Sequence, residues 1–175
     1  MKDYLSVTGE TVTEYTIERS RFITHLAGVG NEEEARAYVA KIKKEHSLAA
    51  HNCYAYIADE LGNVQKFSDD GEPQGTAGLP MLEVLKAKNL KKCAAVVTRY
   101  FGGIKLGAGG LVRAYAKAVA DGANAAATAR FCACEFVKTA ADYEYYSKLL
   151  KFSENKNYKI KDTQFSETAE VTFAV

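Results

Sequence analysis

The sequence predicts a two-domain α/β protein, and three observations carry that prediction. Apolar and polar residues alternate over residues 11–29, the period of half-buried strands, and residues 51–59 read as a further strand. Helical patterns follow Asn31 and Gly110, so strands and helices interleave along the first three quarters of the chain. After about residue 128 a second strand, helix, strand, strand pattern begins, which sets domains of 1–128 and 129–175.

The totals are compatible with this. A chain of 175 residues with 47% hydrophobic content has material for one or two small cores. Its net charge of +1 excludes nucleic-acid binding driven by bulk charge and leaves only a local basic patch. No apolar run reaches transmembrane length and MKDYLSVTGE lacks a secretory core, so the cytoplasm is the expected location and no membrane partner is expected.

Each element has a local reason. TVTEYTIERSRFITHLAGV reads as two strands with a kink near Arg19–Arg21. Asn31 with Glu34 three residues on is a capping-box-like helix start, and Ala35, Tyr38, Val39 and Ile42 share one face. HNCYAYIAD is a strand, with VQKF returning beside it after an LGN turn. Pro80 is placed at the first position of a helix over 80–88. KCAAVVTRYF is apolar without alternation, hence a strand buried on both faces. An alanine-rich helix follows to about Ala127, with Leu111, Ala114, Ala118 and Val119 inward. FCACEFVKTA is read as one strand, then DYEYYSKLLKFSENK as a helix, and NYKIKDTQF and ETAEVTFAV as a hairpin. Cys53, Cys93, Cys132 and Cys134 form no CxxC pair and read as small buried thiols, with no metal assigned. The tyrosines Tyr143, Tyr145, Tyr146 and Tyr158 read as core of the second domain rather than base-stacking platforms.

Two segments carry candidate chemistry. RYFGGIKLGAGGLVRAY places five glycines between Gly102 and Gly110, at a strand-to-helix turn. Free N–H groups at a helix start, with Arg99, Lys105 and Arg113 around them, suit an anion or phosphate. The spacing is neither a Walker A loop nor a dinucleotide fingerprint, so a tight turn that brings helix onto strand is the simplest account. SDDGEPQGTAG clusters Asp69, Asp70 and Glu72, a conceivable divalent-metal loop that lacks EF-hand spacing.

The runs SDDGEPQGTAGLPMLEVL and VVTRYFGGIKLGAGGLVRAYAKAV resemble the signature of the IMPACT/YigZ family, over residues of roughly 15 to 128. The resemblance implies a ribosomal-protein-S5-domain-2-like N-terminal domain, an α/β (α+β) two-layer sandwich. It also implies a ferredoxin-like C-terminal domain similar to one in elongation factor G. That second domain is expected to be truncated at Val175, with about one further helix and strand in the gene. Eukaryotic members regulate translation by binding the activator of an initiation-factor kinase. The motif residues carried over are Asp69, Asp70, Gly71, Glu72, Pro73, Thr76, Ala77, Gly78, Arg99, Tyr100, Phe101, Gly102, Gly103, Leu106, Gly107, Gly110 and Arg113.

The expectation is therefore a translation-associated binding protein without enzymatic activity or cofactor, contacting RNA, the ribosome or a translation-factor partner. Its binding surface combines Asp69, Asp70, Gly71, Glu72, Pro73 and Thr76 with Arg99, Tyr100, Phe101, Gly102, Gly103, Lys105, Gly107, Gly110 and Arg113. The alternatives are a phosphate- or nucleotide-binding enzyme with a metal on the 69–72 loop, and a pure protein-interaction module.

Overall fold

The structure, a computed structural model, describes residues 3–175. The chain divides into two compact units, Met1–Cys132 and Ala133–Val175. The elements are β1 (Tyr4–Val7), β2 (Glu10–Ile17), β3 (Ser20–Gly28), α1 (Glu32–Glu45), β4 (His51–Ile57), β5 (Gln65–Ser68), α2 (Gly78–Ala87), β6 (Cys93–Tyr100), α3 (Gly107–Ala125), β7 (Thr128–Phe131), β8 (Phe136–Ala141), α4 (Tyr143–Lys156), β9 (Lys159–Phe165) and β10 (Ala169–Ala174). It is a mixed α/β architecture.

In the first unit five antiparallel strands lie in the order β2-β3-β6-β4-β5. The small β1–β7 pair is separate. Strand β6 is central, and seven of its eight residues are buried. Its lack of alternation follows from helices on both faces. Cys93, Ala95 and Val97 join Phe22, Leu26, Cys53, Ala55 and Ile57 in a core shared with α2 and α3. Ala94 and Val96 instead join Ala35, Val39 and Ile42 of α1. The two-layer expectation is thereby corrected: α1 covers the opposite face from α2 and α3, which makes three layers. The apolar stripe of α1 is what requires this.

Other local expectations meet the structure with two shifts. The side chain of Asn31 accepts from the Glu34 N–H, and Glu34 reaches back to the N–H of Gly30 rather than that of Asn31. The kink is a tight turn at Glu18 and Arg19, both with positive φ. Helix α2 starts at Gly78, so Pro80 is its third residue and not its first. The shift is tolerated because the first four helical N–H groups lack intrahelical acceptors.

In the second unit β8, β10 and β9 form a three-stranded antiparallel sheet in that order, with α4 between β8 and β9 in sequence. The single strand expected over 131–140 is two strands, β7 and β8, with a short stretch that belongs to neither between them. Cys132 and Cys134 lie in that stretch and are exposed, while Cys53 and Cys93 are buried. Without a paired strand these two thiols gain no cover. Burial pushes the thiols of Cys53 and Cys93 up to about 12, which makes both inert at neutral pH.

A titratable pair sits on the α1 side of the sheet. His25 and His46 face each other through their Nε2 atoms at 3.1 Å, and Nδ1 of His46 meets the Tyr100 hydroxyl at 2.9 Å. Only one proton fits between the two Nε2 atoms. Burial first, then the neighbouring His46, pull His25 below its ordinary value. The fold therefore favours neutral His25, and the unfolded chain takes up the proton first. This stability term is present above about pH 6.5 and is lost as pH falls below it. Thermal melts from pH 8 to pH 5 are expected to show a declining limb that His25→Leu flattens.

Candidate functional site

The two glycine-flanked segments converge on one end of the sheet, on the α2/α3 face. Strand alternation aims Arg99 of β6 into that face, where it is 5% exposed. Its Nη1 donates to Oε1 of Glu72 at 2.7 Å and its Nη2 to Ser20 Oγ at 3.3 Å. The Tyr115 hydroxyl of α3 donates to the same Glu72 oxygen at 2.8 Å. The guanidinium lies between the rings of Phe22 and Phe101, 5.5 and 5.4 Å from their centroids. The Arg99 Nε is the one buried side-chain polar atom without a partner among the described residues. A carboxylate in the 69–78 loop is thus locked onto the sheet by a buried, charge-assisted network.

The other loop carboxylates serve the backbone. Asp69 accepts N–H bonds from Gly75 at 2.9 Å, Ala77 at 3.0 Å and Gly78 at 2.8 Å. It supplies the cap for α2 that Ala77 does not. Burial opposes ionisation of Asp69, but the three amides outweigh it and hold the carboxyl below its ordinary range. Asp70 binds Lys43 Nζ at 2.5 Å and accepts from the Asn52 N–H at 2.6 Å. Positive φ at Asp70 and Gly71 turns the chain between them. Thr76 donates through its hydroxyl to the Pro73 carbonyl at 2.6 Å. A divalent ion on the 69–72 loop is therefore not supported: the three carboxylates point to three different protein partners. No cluster of three ligating side chains exists among the described residues.

The structure separates residues that adjacency in sequence had grouped. Tyr100 alternates to the opposite face, where it joins His46. Arg113 does not meet Arg99. Arg113 is exposed on a hollow of about 480 Å³ shared with Tyr15, Lys105 and Lys117. Arg99, Glu72, Phe101, Lys105 and Gly107 line a different pocket of about 370 Å³. His51 lines that second pocket too, and sequence reading missed it. Tyr115 and Ser20 were missed as well. No local pattern marks them, because their partners lie 43 and 79 residues away.

The glycines have separate duties. A Cβ on Gly102 would lie 2.0 Å from the Arg19 carbonyl carbon, so this glycine allows the β2–β3 turn to abut the loop. Gly103 and Gly107 have positive φ with open space around them. Gly102→Ala is expected to shift backbone and to destabilise by about 2–4 kcal/mol, whereas Gly109→Ala, with no clash closer than 3.5 Å to a flexible arginine, is expected to be neutral or better. Urea unfolding of both variants checks this; equal midpoints would refute it.

Comparison with known proteins follows the same outline. The Impact N-terminal domain matches residues 18–123. The chain is 47% identical over 170 residues to the IMPACT family member YvyE of Bacillus subtilis (strain 168), covering 97% of this chain and 78% of that one. It is 50% identical over 101 residues to the IMPACT family member YigZ of Escherichia coli (strain K12), where it covers 57% of this chain and 50% of the relative. The chain thus spans only half of that relative's length. A solved structure described as a crystal structure of an hypothetical protein matches all of this chain and 86% of the other, with a TM-score of 0.71 at 33% identity.

Proposed function

This chain belongs to the IMPACT family, and from that premise we propose that it is a non-enzymatic, translation-associated binding protein that works in the cytoplasm by contacting ribosomal RNA. The observation that carries the RNA reading is the charge left over at the site. Asp70 and Glu72 are paired with the cations Lys43 and Arg99 and Asp69 is turned onto backbone amides, so the loop repels phosphates less than its composition implies. Lys105 and Arg113 are exposed on one hollow, which Glu18 also lines, and neither forms an ion pair among the described residues. Cations in this arrangement suit a phosphate backbone in a local patch, in a chain whose net charge of +1 gives no general attraction.

Two finer fold assignments belong with this reading. The N-terminal unit is read as ribosomal-protein-S5-domain-2-like with α1 added on the far face. The order β8, α4, β9, β10, with β10 between its two partners, supports a ferredoxin-like second unit. No helix among the described residues is long and apolar enough to cross a membrane.

The test is co-sedimentation with ribosomes and binding to ribosomal RNA. Lys105→Glu with Arg113→Glu is expected to weaken RNA binding about tenfold or more, and to reduce the salt dependence of what remains. Unchanged binding sinks the RNA reading. Retained ribosome association after nuclease treatment moves the contact to a protein partner, the other mode in which a family member would act on translation.

A further inference from the structure

The pocket beside Glu72 has two chemically different ends. We propose that it binds a small molecule carrying an acid group and, a few bonds away, an N–H donor: the pattern of a free α-amino acid. This site shares Lys105 and Leu106 with the exposed hollow assigned to RNA but does not rest on that assignment.

The acid end is set by α3. This helix of 19 residues opens at Gly107 without a side-chain cap and without an acidic residue in its first turn. The N–H groups of that turn are unused by the helix itself and sit at its positive pole. Gly107 and Ala108 line the pocket, and Lys105 lines it beside them. A carboxylate seated there meets both backbone donors and a cation.

The donor end is set by Glu72 and His51. The Glu72 side chain is only 3% exposed, and Oε1 is saturated by Arg99 and Tyr115. Its Oε2 accepts no hydrogen bond among the described residues and faces His51 Nε2 across 3.8 Å, too long for a bond. Both residues line the pocket. The tautomer of neutral His51 follows from its other nitrogen. Nδ1 lies 2.9 Å from the Asp70 carbonyl oxygen, which can only accept, so Nδ1 carries the proton. Nε2 is then an acceptor as well. Two acceptors, one of them on a side chain buried beyond nine-tenths, call for a ligand that donates. A simple phosphate supplies the acid group but places more negative charge against Glu72. An α-amino acid satisfies both ends, with Phe101 and Leu111 as apolar walls for its side chain.

The experiment is calorimetric titration of the full chain with each standard L-amino acid, with inorganic phosphate as the anion-only probe. One or more amino acids are expected to saturate at one per chain at millimolar concentration. For the tightest, the N-acetyl and the C-terminal amide derivatives are each expected to bind about tenfold or more weakly, since each removes one charge-assisted end. Glu72→Gln is expected to weaken the amino acid and spare phosphate. Because Glu72 also holds Arg99, Lys105→Ala at an exposed position gives an independent variant that keeps the fold, and it is expected to weaken the amino acid too. The proposal is overturned if no amino acid gives saturable heat, if phosphate or the N-acetyl derivative binds as well as the parent, or if Lys105→Ala binds unchanged. None of these readouts involves RNA or ribosomes, so this proposal and the RNA reading fail separately.

Discussion

Arg99→Leu is expected to cost the N-terminal unit about 3–5 kcal/mol, the largest loss from any single side chain at the site. The reason is what it leaves behind. Glu72 is 3% exposed and its Oε1 lies 2.7 Å from Arg99. Removing the guanidinium strands a carboxylate away from water, with only the Tyr115 hydroxyl as donor. It also removes the bond to Ser20 and the cation between Phe22 and Phe101. Urea unfolding at pH 7 measures the loss. The double variant Arg99→Leu with Glu72→Leu is the informative control. It removes both charges, and is expected to recover a substantial part of the stability, because a buried ion pair is worth little against an apolar pair. If Arg99→Leu alone costs under about 1 kcal/mol, the pair is not desolvated in solution and this account fails.

Asp69→Ala is expected to cost about 2–4 kcal/mol through a different mechanism. One carboxylate satisfies three amides, and these belong to the end of the loop and the start of α2. Alanine leaves those donors without acceptors. Asn is expected to fall between: its single oxygen can serve Ala77 and Gly78, both on Oδ1, while its amide group opposes the Gly75 N–H. The acid limb carries the same signature. The folded-state value of Asp69 is lowered, so its contribution is full above the ordinary carboxylate range and is lost as pH falls through it. Comparing wild type and Asp69→Asn from pH 7 to pH 3 should show the wild type losing more. Hydrogen exchange at Gly75, Ala77 and Gly78 would show protection lost in Asp69→Ala; unchanged protection there would sink the capping role.

Together these two residues turn the acidic loop from a charged surface into a structural clasp. Composition alone suggested metal ligation or repulsion of phosphate. Three partners decide otherwise: backbone amides for Asp69, Lys43 for Asp70 and Arg99 for Glu72. Of the three cations expected at the site, Arg99 is held in this clasp while Lys105 and Arg113 are not, and these two give the RNA reading its test.

Local structure was legible in the sequence wherever its cause is local. The cap at Asn31, the inward stripe of α1, the alternation of β2 and the buried run of β6 depend on neighbours within a few residues, and each is written in the spacing. Strands β3 and β4 are buried on both faces instead of alternating, because helices cover both sides of the sheet. Period-two alternation also separates Arg99 from Tyr100, although a shared motif invites grouping them. The start of α2 was not legible, because the residue that caps it lies eight or nine positions upstream in a loop. Nor was the exposure of Cys132 and Cys134, which depends on whether a partner strand exists to cover them. The site itself was decided by topology alone. Arg99 meets Glu72 across 27 residues, Tyr115 meets it across 43, and Ser20 meets Arg99 across 79. Such pairs form only once the sheet order places β6 beside β3 and β4 and α3 folds back over them, and no periodicity along the chain encodes a distance of that kind.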